Sequence, residues 1–445
     1  MMLAAIDRVG YLVGANQPKQ LPKFNREMNN LTIFITLLIS TSAFCADRVV
    51  EEFGIPPAYP SIGAAVAAAD DGDRIIIKNR AGNVPWLENV TVDKSLEFLS
   101  YENDDFFIVQ GDYAINRATG RKVAFIGMRN TAGSIVQGEG PLSTRSVHVS
   151  VLDCRFQNGG VLLSSNTYDV QVIGCKFDMG RIRISIGNII GNEVYGENAG
   201  GALVDVNNST FAYLGDTLHV IGNKIHYINS QSLQAALRVG TRQQIVHIRN
   251  NYIRFRMDGL RIHHSTNEPI ACLIYNNTII GEGPGTSNQR YGIAMTGLQE
   301  NSVWEVMNNV VISDGLNGFP LNAITNSSSS TTVNVYYNHI SPGWSTPISG
   351  TFGFNDLNQL NQDIQLNIED GTFANMNSAI NGGNPAPLFY DLDLSPNDAG
   401  AYGGSYTLNN FFPQHTGSAR IGFVSYSFNV RNGNTLRVNA VSFDR

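Results

Sequence analysis

The 445-residue chain carries little charge: 15% of its residues are Asp, Glu, Lys or Arg, and the net charge is -7. No basic footprint able to neutralise nucleic-acid phosphates is present, which excludes nucleic acid as a partner. Long apolar runs are also missing. The longest, "LTIFITLLISTSAF" at residues 31–44, is too short to span a bilayer. It reads as the apolar core of a secretion signal starting at Met28, with residues 1–45 together an upstream extension and signal. The expected destination is outside the cytoplasm, secreted, on the cell surface or in the periplasm, with no transmembrane segment in the mature chain. Cysteine is scarce, at four. If Cys45 leaves with the signal, Cys154, Cys175 and Cys272 remain, and an odd number excludes a complete disulfide framework. Apolar residues at helical spacing are too few to form crossover helices, which excludes a fold built on helical connections.

What the chain does have is 44 glycines, frequent asparagine and an ordinary apolar fraction of 42%, a composition of short buried strands between many turns. It also repeats. A short apolar strand, one or two asparagines or a cysteine, any residue and another apolar residue recur as "VLDCRF" (Cys154), "VIGCKF" (Cys175), "IIGNEV" (Asn192), "VIGNKI" (Asn223), "IRNNYI" (Asn251), "IYNNTI" (Asn277), "VMNNVV" (Asn309) and "VYYNHI" (Asn338). The spacing varies between 17 and 32 residues, as expected if loops of different size enter one corner of a constant unit. Between copies lies a second strand: "GVLL" at 160, "RIRI" at 181, "LVDV" at 203, "ALRV" at 236, "GLRI" at 259, "GIAM" at 292 and "GFPL" at 318. A unit of about three short strands cannot bury its apolar side alone and must stack on its neighbours. The expected fold is all-β, a parallel β-helix. Stacking places the asparagines in an inward column about 4.8 Å apart, amide against amide, with Cys154 and Cys175 continuing it as free thiols.

The segment "YPSIGAAVAAADDGDRIIIKNRAGNVPWLENVTVDKSLEFLS", 59–100, resembles the opening of secreted right-handed parallel β-helix proteins of the pectin-lyase-like superfamily, in which a small amphipathic helix caps the first coil. "MNSAINGGNPAPLFYDLDLSPNDAGAYGG", 376–404, is similar to the ending of many bacterial members. The resemblance implies a β-helix over residues 50–404. Residues 405–445, with "FNVRNGNTLRV" around Asn432 and Gly433, read as a small appended hairpin. It implies no single activity, because the superfamily includes lyases, hydrolases, epimerases, phage tailspikes and non-catalytic surface proteins.

In such a solenoid the inward residues are core, so chemistry belongs on the outward faces. Alternation along "GLRI" turns Leu260 and Ile262 inward and Arg261 outward. The same register predicts an outward column of Arg183, Asp205, Arg238, Arg261 and Ala294, with His263 one outward step further along the strand. Arg238 over Arg261 is a like-charge pair. Asp205 is expected to relieve only one side of it, leaving room for an anionic guest. A guanidinium fork binds carboxylate or sulfate, so the expected partner is an acidic polysaccharide. Of the two reactions the resemblance offers, hydrolysis lacks its aspartate, Gly-His-Gly and Arg-Ile-Lys motifs, and Asp258-Gly259 reads as a turn before the strand. A lyase or epimerase needs a cation against the uronate carboxylate and a base for the C5 proton. Arg238, Arg261 and His263 are the catalytic candidates. Arg183, Asp205, Asp258, His264, and Glu282, Arg290 and Tyr291 from the loop 281–291, are the substrate-binding candidates. Asp391, Asp393 and Asp398 in "YDLDLSPND" offer oxygen donors for a calcium ion, without the glycine that sharpens an EF-hand loop. A non-catalytic extracellular scaffold or adhesin is the alternative reading.

Overall fold

In the computed structural model the repeat closes into coils. It describes residues 45–445 except 104, 144, 198–200, 208–212, 229–234, 241–242, 264–270, 284–289, 299–301, 315–319, 329–331, 413–418, 427–437 and 445. The signal-like segment 28–44, His264 and the Asn432-Gly433 turn therefore lie outside the described residues. The described ones belong to one compact unit, Ala43–Arg445. Successive strands go in rotation to three parallel sheets, a thirteen-stranded sheet 1 and eleven-stranded sheets 2 and 3, so each sheet takes one strand from every coil. This is a right-handed parallel β-helix, capped by the helix Ile62–Ala68. Ser61 starts that helix by accepting a hydrogen bond from the Ala64 amide, the Glu88 carboxylate takes the Ile62 and Gly63 amides, and Ile62, Ala65 and Val66 close the end of the core.

Period-two alternation fills the interior. In the sheet 3 strand Arg181–Ile184, Ile182 and Ile184 are fully buried and pair with Val161, Leu163, Val204 and Val206 of the coils on either side. Rings stack in the same way, Phe98 on Phe125 at 4.8 Å and Phe156 on Phe177 at 4.9 Å. Each such ring or branched aliphatic side chain contributes about 1.5–3 kcal/mol on burial.

The turn from sheet 1 to sheet 2 explains the doubled asparagines. Its first residue is left-handed in coil after coil: Gly174, Gly191 and Gly222, then Asn250, Asn276 and Asn308, with φ between 53° and 66°. Glycine and asparagine are the residues that tolerate this conformation. The second residue points inward and builds the ladder. Asn192, Asn223, Asn251, Asn277 and Asn309 each donate their backbone N–H and their Nδ2 to the Oδ1 of the next asparagine at 2.9–3.1 Å, ending on Asn338. Asn358, missing from the sequence pattern, adds one more rung below Asn338. Above, the Cys175 amide donates to Asn192 and the Cys154 amide to the Cys175 sulfur, and all three buried cysteines are free thiols.

Two expectations change. Sheet 3 residues 292–295, "GIAM", lie level with 323–326, "AITN", and not with "GFPL", because Arg290 already pairs with Pro320 and the irregularity between Arg290 and Tyr291 moves the partners one residue further. The coil strands end at Phe354–Asp356, and residues 357–412 fold back over the turns, where Asn250 and Asn276 donate to the carbonyls of Ala401, Gly403, Asp398 and Gly400. The antiparallel pair Ala419–Tyr426 and Val438–Asp444 then lays Phe423, Val441 and Phe443 over Ile126, Leu152, Ile173 and Ile190 on the outside of sheet 1.

Candidate functional site

Sheet 3 brings one outward residue from each coil into a column: Thr91, Ala114, Val136, Leu162, Arg183, Asp205, Arg238, Arg261, Ala294, Thr325 and Ser349. Charge occupies only the four consecutive places from Arg183 to Arg261. The strands here are short β-branched runs fixed in register by their inward Ile, Leu and Val, so a one-residue slip would bury guanidinium groups in the core. The order Arg183, Asp205, Arg238, Arg261 and Ala294 is the one expected from alternation.

The pairing within the column differs from expectation. Arg238 forms a fork on Asp205, Nε to Oδ1 at 2.9 Å and Nη2 to Oδ2 at 2.6 Å, while Arg183 Nε approaches the same carboxylate at 3.4 Å. Asp205 thus serves Arg183 and Arg238 together. Arg261 has its own counter-charge, since its Nη2 donates to Asp258 Oδ2. The expectation that Asp205 leaves one arginine unrelieved is corrected, and Asp258 is not a turn residue: it opens the strand Asp258–His263. Its signal in the sequence was the three-residue spacing from Arg261, which a strand start can bridge.

The carboxylates lie deep and the guanidinium groups shallow. Asp205 and Asp258 side chains are 4% and 2% exposed, whereas those of Arg183, Arg238 and Arg261 are 44%, 29% and 33% exposed. Burial raises the Asp258 pKa to about 6, against the opposing pull of Arg261 and of the Tyr291 amide, which donates to Oδ1 at 3.1 Å. The hydrogen bonds from Arg238 to Asp205 raise the pKa of that guanidinium further. Burial also raises the Tyr291 hydroxyl. His263 is exposed at the far end of its strand, level with Thr296 of the next coil.

Other candidates go elsewhere. Glu282 stands on sheet 2, where Arg254 donates to one oxygen and His226 lies 3.3 Å from the other. Burial opposes its ionisation, yet these hydrogen bonds hold its pKa below the ordinary value. Arg290 is only 1% exposed and donates to the Gly283 carbonyl at 2.9 Å, so it braces the base of the loop instead of facing solvent. Burial lowers its pKa. The column therefore gathers Arg183, Asp205, Arg238, Arg261, Asp258 and Tyr291 with His263 beside them, but not Glu282 or Arg290.

The acidic turn 390–398 does not fit a calcium ion. Asp391 accepts the amides of Gly404 and Asp398, Asp393 accepts the Ser395 amide and hydroxyl, and Asp398 accepts the Asn381 amide at 2.7 Å. These donors take both oxygens of Asp391 and one each of Asp393 and Asp398, and among the described residues no three His, Cys, Asp or Glu side chains converge as metal ligands. Asp391, Asp393 and Asp398 are instead an Asx-type turn, in which burial raises the Asp391 pKa to about 6.

Chemically, the column can hold anions and cannot run a two-carboxylate hydrolysis. Asp205 and Asp258 are two coils apart, and each already accepts from arginine. Its class is that of a parallel β-helix with a cationic strip on one face. No family model matches the chain, and no curated protein matches it. Among solved structures, a crystal structure of pectate lyase Pel9A is similar at 12% sequence identity and a TM-score of 0.34, over 80% of this chain and 96% of that one. At that level of likeness nothing about activity transfers. Among the described residues no helix is long and apolar enough to cross a membrane.

Proposed function

We propose that sheet 3 binds an acidic polysaccharide outside the cytoplasm, the polymer lying along the stacked coils from Arg183 to Arg261. The observation that carries this reading is the layering of half-exposed guanidinium groups over buried carboxylates, confined to four adjacent coils. The buried acids fix the arginines and offset part of their mutual repulsion, while the exposed edges remain to take uronate or sulfate oxygens. A linear chain would meet Arg183 and Arg238 about 10 Å apart, on either side of Asp205, and Arg261 about 4.8 Å further on.

The reaction that the residues suit is β-elimination. Arg238 and Arg261 would neutralise a uronate carboxylate and make the C5 proton acidic. The His263 imidazole would take that proton, the C4–O bond would break as the C4=C5 double bond forms, and the departing glycosidic oxygen would take a proton from solvent water, the resulting hydroxide being neutralised by the imidazolium. A second reading, in which the face binds without cleaving and the β-helix is an extracellular scaffold, is favoured by the acid partners already bonded to both arginines.

Incubation with polygalacturonate, alginate and a glycosaminoglycan, followed by ultraviolet absorbance of the unsaturated product and by a binding measurement, separates the two. Product formation that His263→Ala abolishes while binding persists supports the lyase. A flat trace with binding intact selects the scaffold. Failure to bind any of the three polymers refutes the assignment of this face.

A further inference from the structure

The outside of sheet 1 carries a buried cation that the reading above does not use. Stacking in register aligns Ile221, Arg249, Tyr275, Met307 and Tyr336, with His247, Leu273 and Glu305 in the parallel column beside them. The returning C-terminal segment crosses this surface. Phe389 meets the Tyr275 ring edge-on at 6.4 Å, and the Tyr406 ring centre lies 3.3 Å from the Arg249 guanidinium carbon. Between sheet and segment is a pocket of about 320 Å³, a size in the range of small-molecule sites. Leu273, Tyr275, Met307, Tyr336 and Phe389 contribute apolar wall to it.

Arg249 is part of that wall and is 2% exposed. Nη1 donates to the Tyr275 hydroxyl at 2.6 Å, Nε has no acceptor, and among the described residues no carboxylate lies within ion-pair distance. A guanidinium withdrawn from water without a counter-ion is unfavourable unless something supplies the negative charge. His247 supplies no second cation at neutral pH, because burial first and Arg249 second lower its pKa to about 4. At the other end, Glu305 stands two coils further on and two residues along the strand from the level of Arg249, roughly 12 Å away in backbone terms. Its Oε1 accepts from Asn334 at 2.8 Å. The pocket thus has a cation at one end, a carboxylate at the other and aromatic rings between.

We propose that this pocket binds a small hydroxyaryl carboxylic acid, its carboxylate on Arg249, its ring against Tyr275 and Phe389, and its hydroxyl donating towards Glu305. A flat ring suits the offset and edge-on packing that the walls offer. A carboxylate supplies the acceptor that Arg249 lacks, and a hydroxyl avoids placing a second anion beside Glu305. The site lies on sheet 1, so it is independent of the polysaccharide face on sheet 3.

The probe is para-hydroxycinnamate, titrated calorimetrically into the whole protein, with para-hydroxycinnamyl alcohol lacking the carboxylate and acetate lacking the ring. One-to-one binding of the acid, with the alcohol weaker by about tenfold or more and acetate inactive, is expected. Arg249→Gln should abolish the difference between acid and alcohol. Because that variant alters a buried group, Leu273→Trp, which fills the pocket and leaves Arg249 intact, should block the acid without lowering the melting temperature. Arg238→Ala, on sheet 3, should leave the affinity for the acid unchanged. Equal affinity for acid and alcohol, unchanged binding in Leu273→Trp, or no binding of the acid would overturn the proposal.

Discussion

The inward asparagine column and the outward arginine column arise from one operation, a residue per coil held in register, and they reach opposite ends. Inside, each amide is both donor and acceptor, so identical neighbours satisfy one another: Asn251 Oδ1 takes the backbone N–H and Nδ2 of Asn223, and Asn251 Nδ2 reaches Asn277 and the Val220 carbonyl. Outside, a guanidinium only donates, so identical neighbours repel. The protein interposes Asp205 within the column and brings Asp258 in from a strand start. A self-complementary group makes a closed, structural column. A one-sided group makes an open column that still has donors to offer.

The sharpest way to break that contrast is to remove one member of each column and compare stability. Asn251→Ala removes the acceptor of the buried Asn223 backbone amide and the Asn251 donor to the Val220 carbonyl, and leaves Asn223 Nδ2 with the Ile189 carbonyl alone. It should lower the unfolding free energy by about 3 kcal/mol or more, read from urea denaturation. Arg183→Ala, at a side chain 44% exposed, should cost less than about 1 kcal/mol. Equal losses in the two variants would show that the ladder is no more structural than the face.

The next effect in size concerns binding. Arg238→Ala alone would leave Asp205 buried with Arg183 as its remaining partner, so the informative variant combines it with Asp205→Asn. The double variant should bind a uronate-rich glycan about tenfold more weakly, and the wild-type affinity should fall as salt is raised, because exposed charges are screened over about 10 Å at 0.1 M. Retained affinity at low salt would move the binding face off sheet 3.

Most of the fold is legible in the sequence because a solenoid repeats its evidence. Eight copies of one turn motif and alternation in six of the seven second strands locate the coils, and the Arg183–Arg261 column follows from the same alternation. What was not legible depends on breaks in periodicity. The level of 292–295 with 323–326 depends on how many residues precede the Arg290–Pro320 pair and on a one-residue irregularity between Arg290 and Tyr291. The Asp258–Arg261 pair joins a strand start to an outward position, so no column predicts it. Glu282 ends a sheet 2 strand and Arg290 opens a sheet 3 strand, on either side of a corner whose length the repeat does not set. Arg249 occupies an outward place that four preceding coils fill with Leu152, Ile173, Ile190 and Ile221, and only the returning C-terminal segment makes it buried.

The smallest expected effect tests how far the outer column is open. The folded protein holds the Asp258 proton more tightly than an unfolded chain does, since the pKa is about 6 against an ordinary 3.8. Stability associated with this group is therefore complete below 3.8 and declines as pH rises through 6. Protonation also removes the counter-charge that faces Arg261, so affinity for a polyanion should rise as pH falls from about 7 to about 5, by about threefold at low salt. Asp258→Asn abolishes both dependences and should fix affinity near the acidic value of the wild type. The measurement is glycan affinity across that window in both proteins. If the wild type is flat and the variant indistinguishable from it, Asp258 does not govern what Arg261 can bind, and the outer column is as closed as the asparagine ladder within.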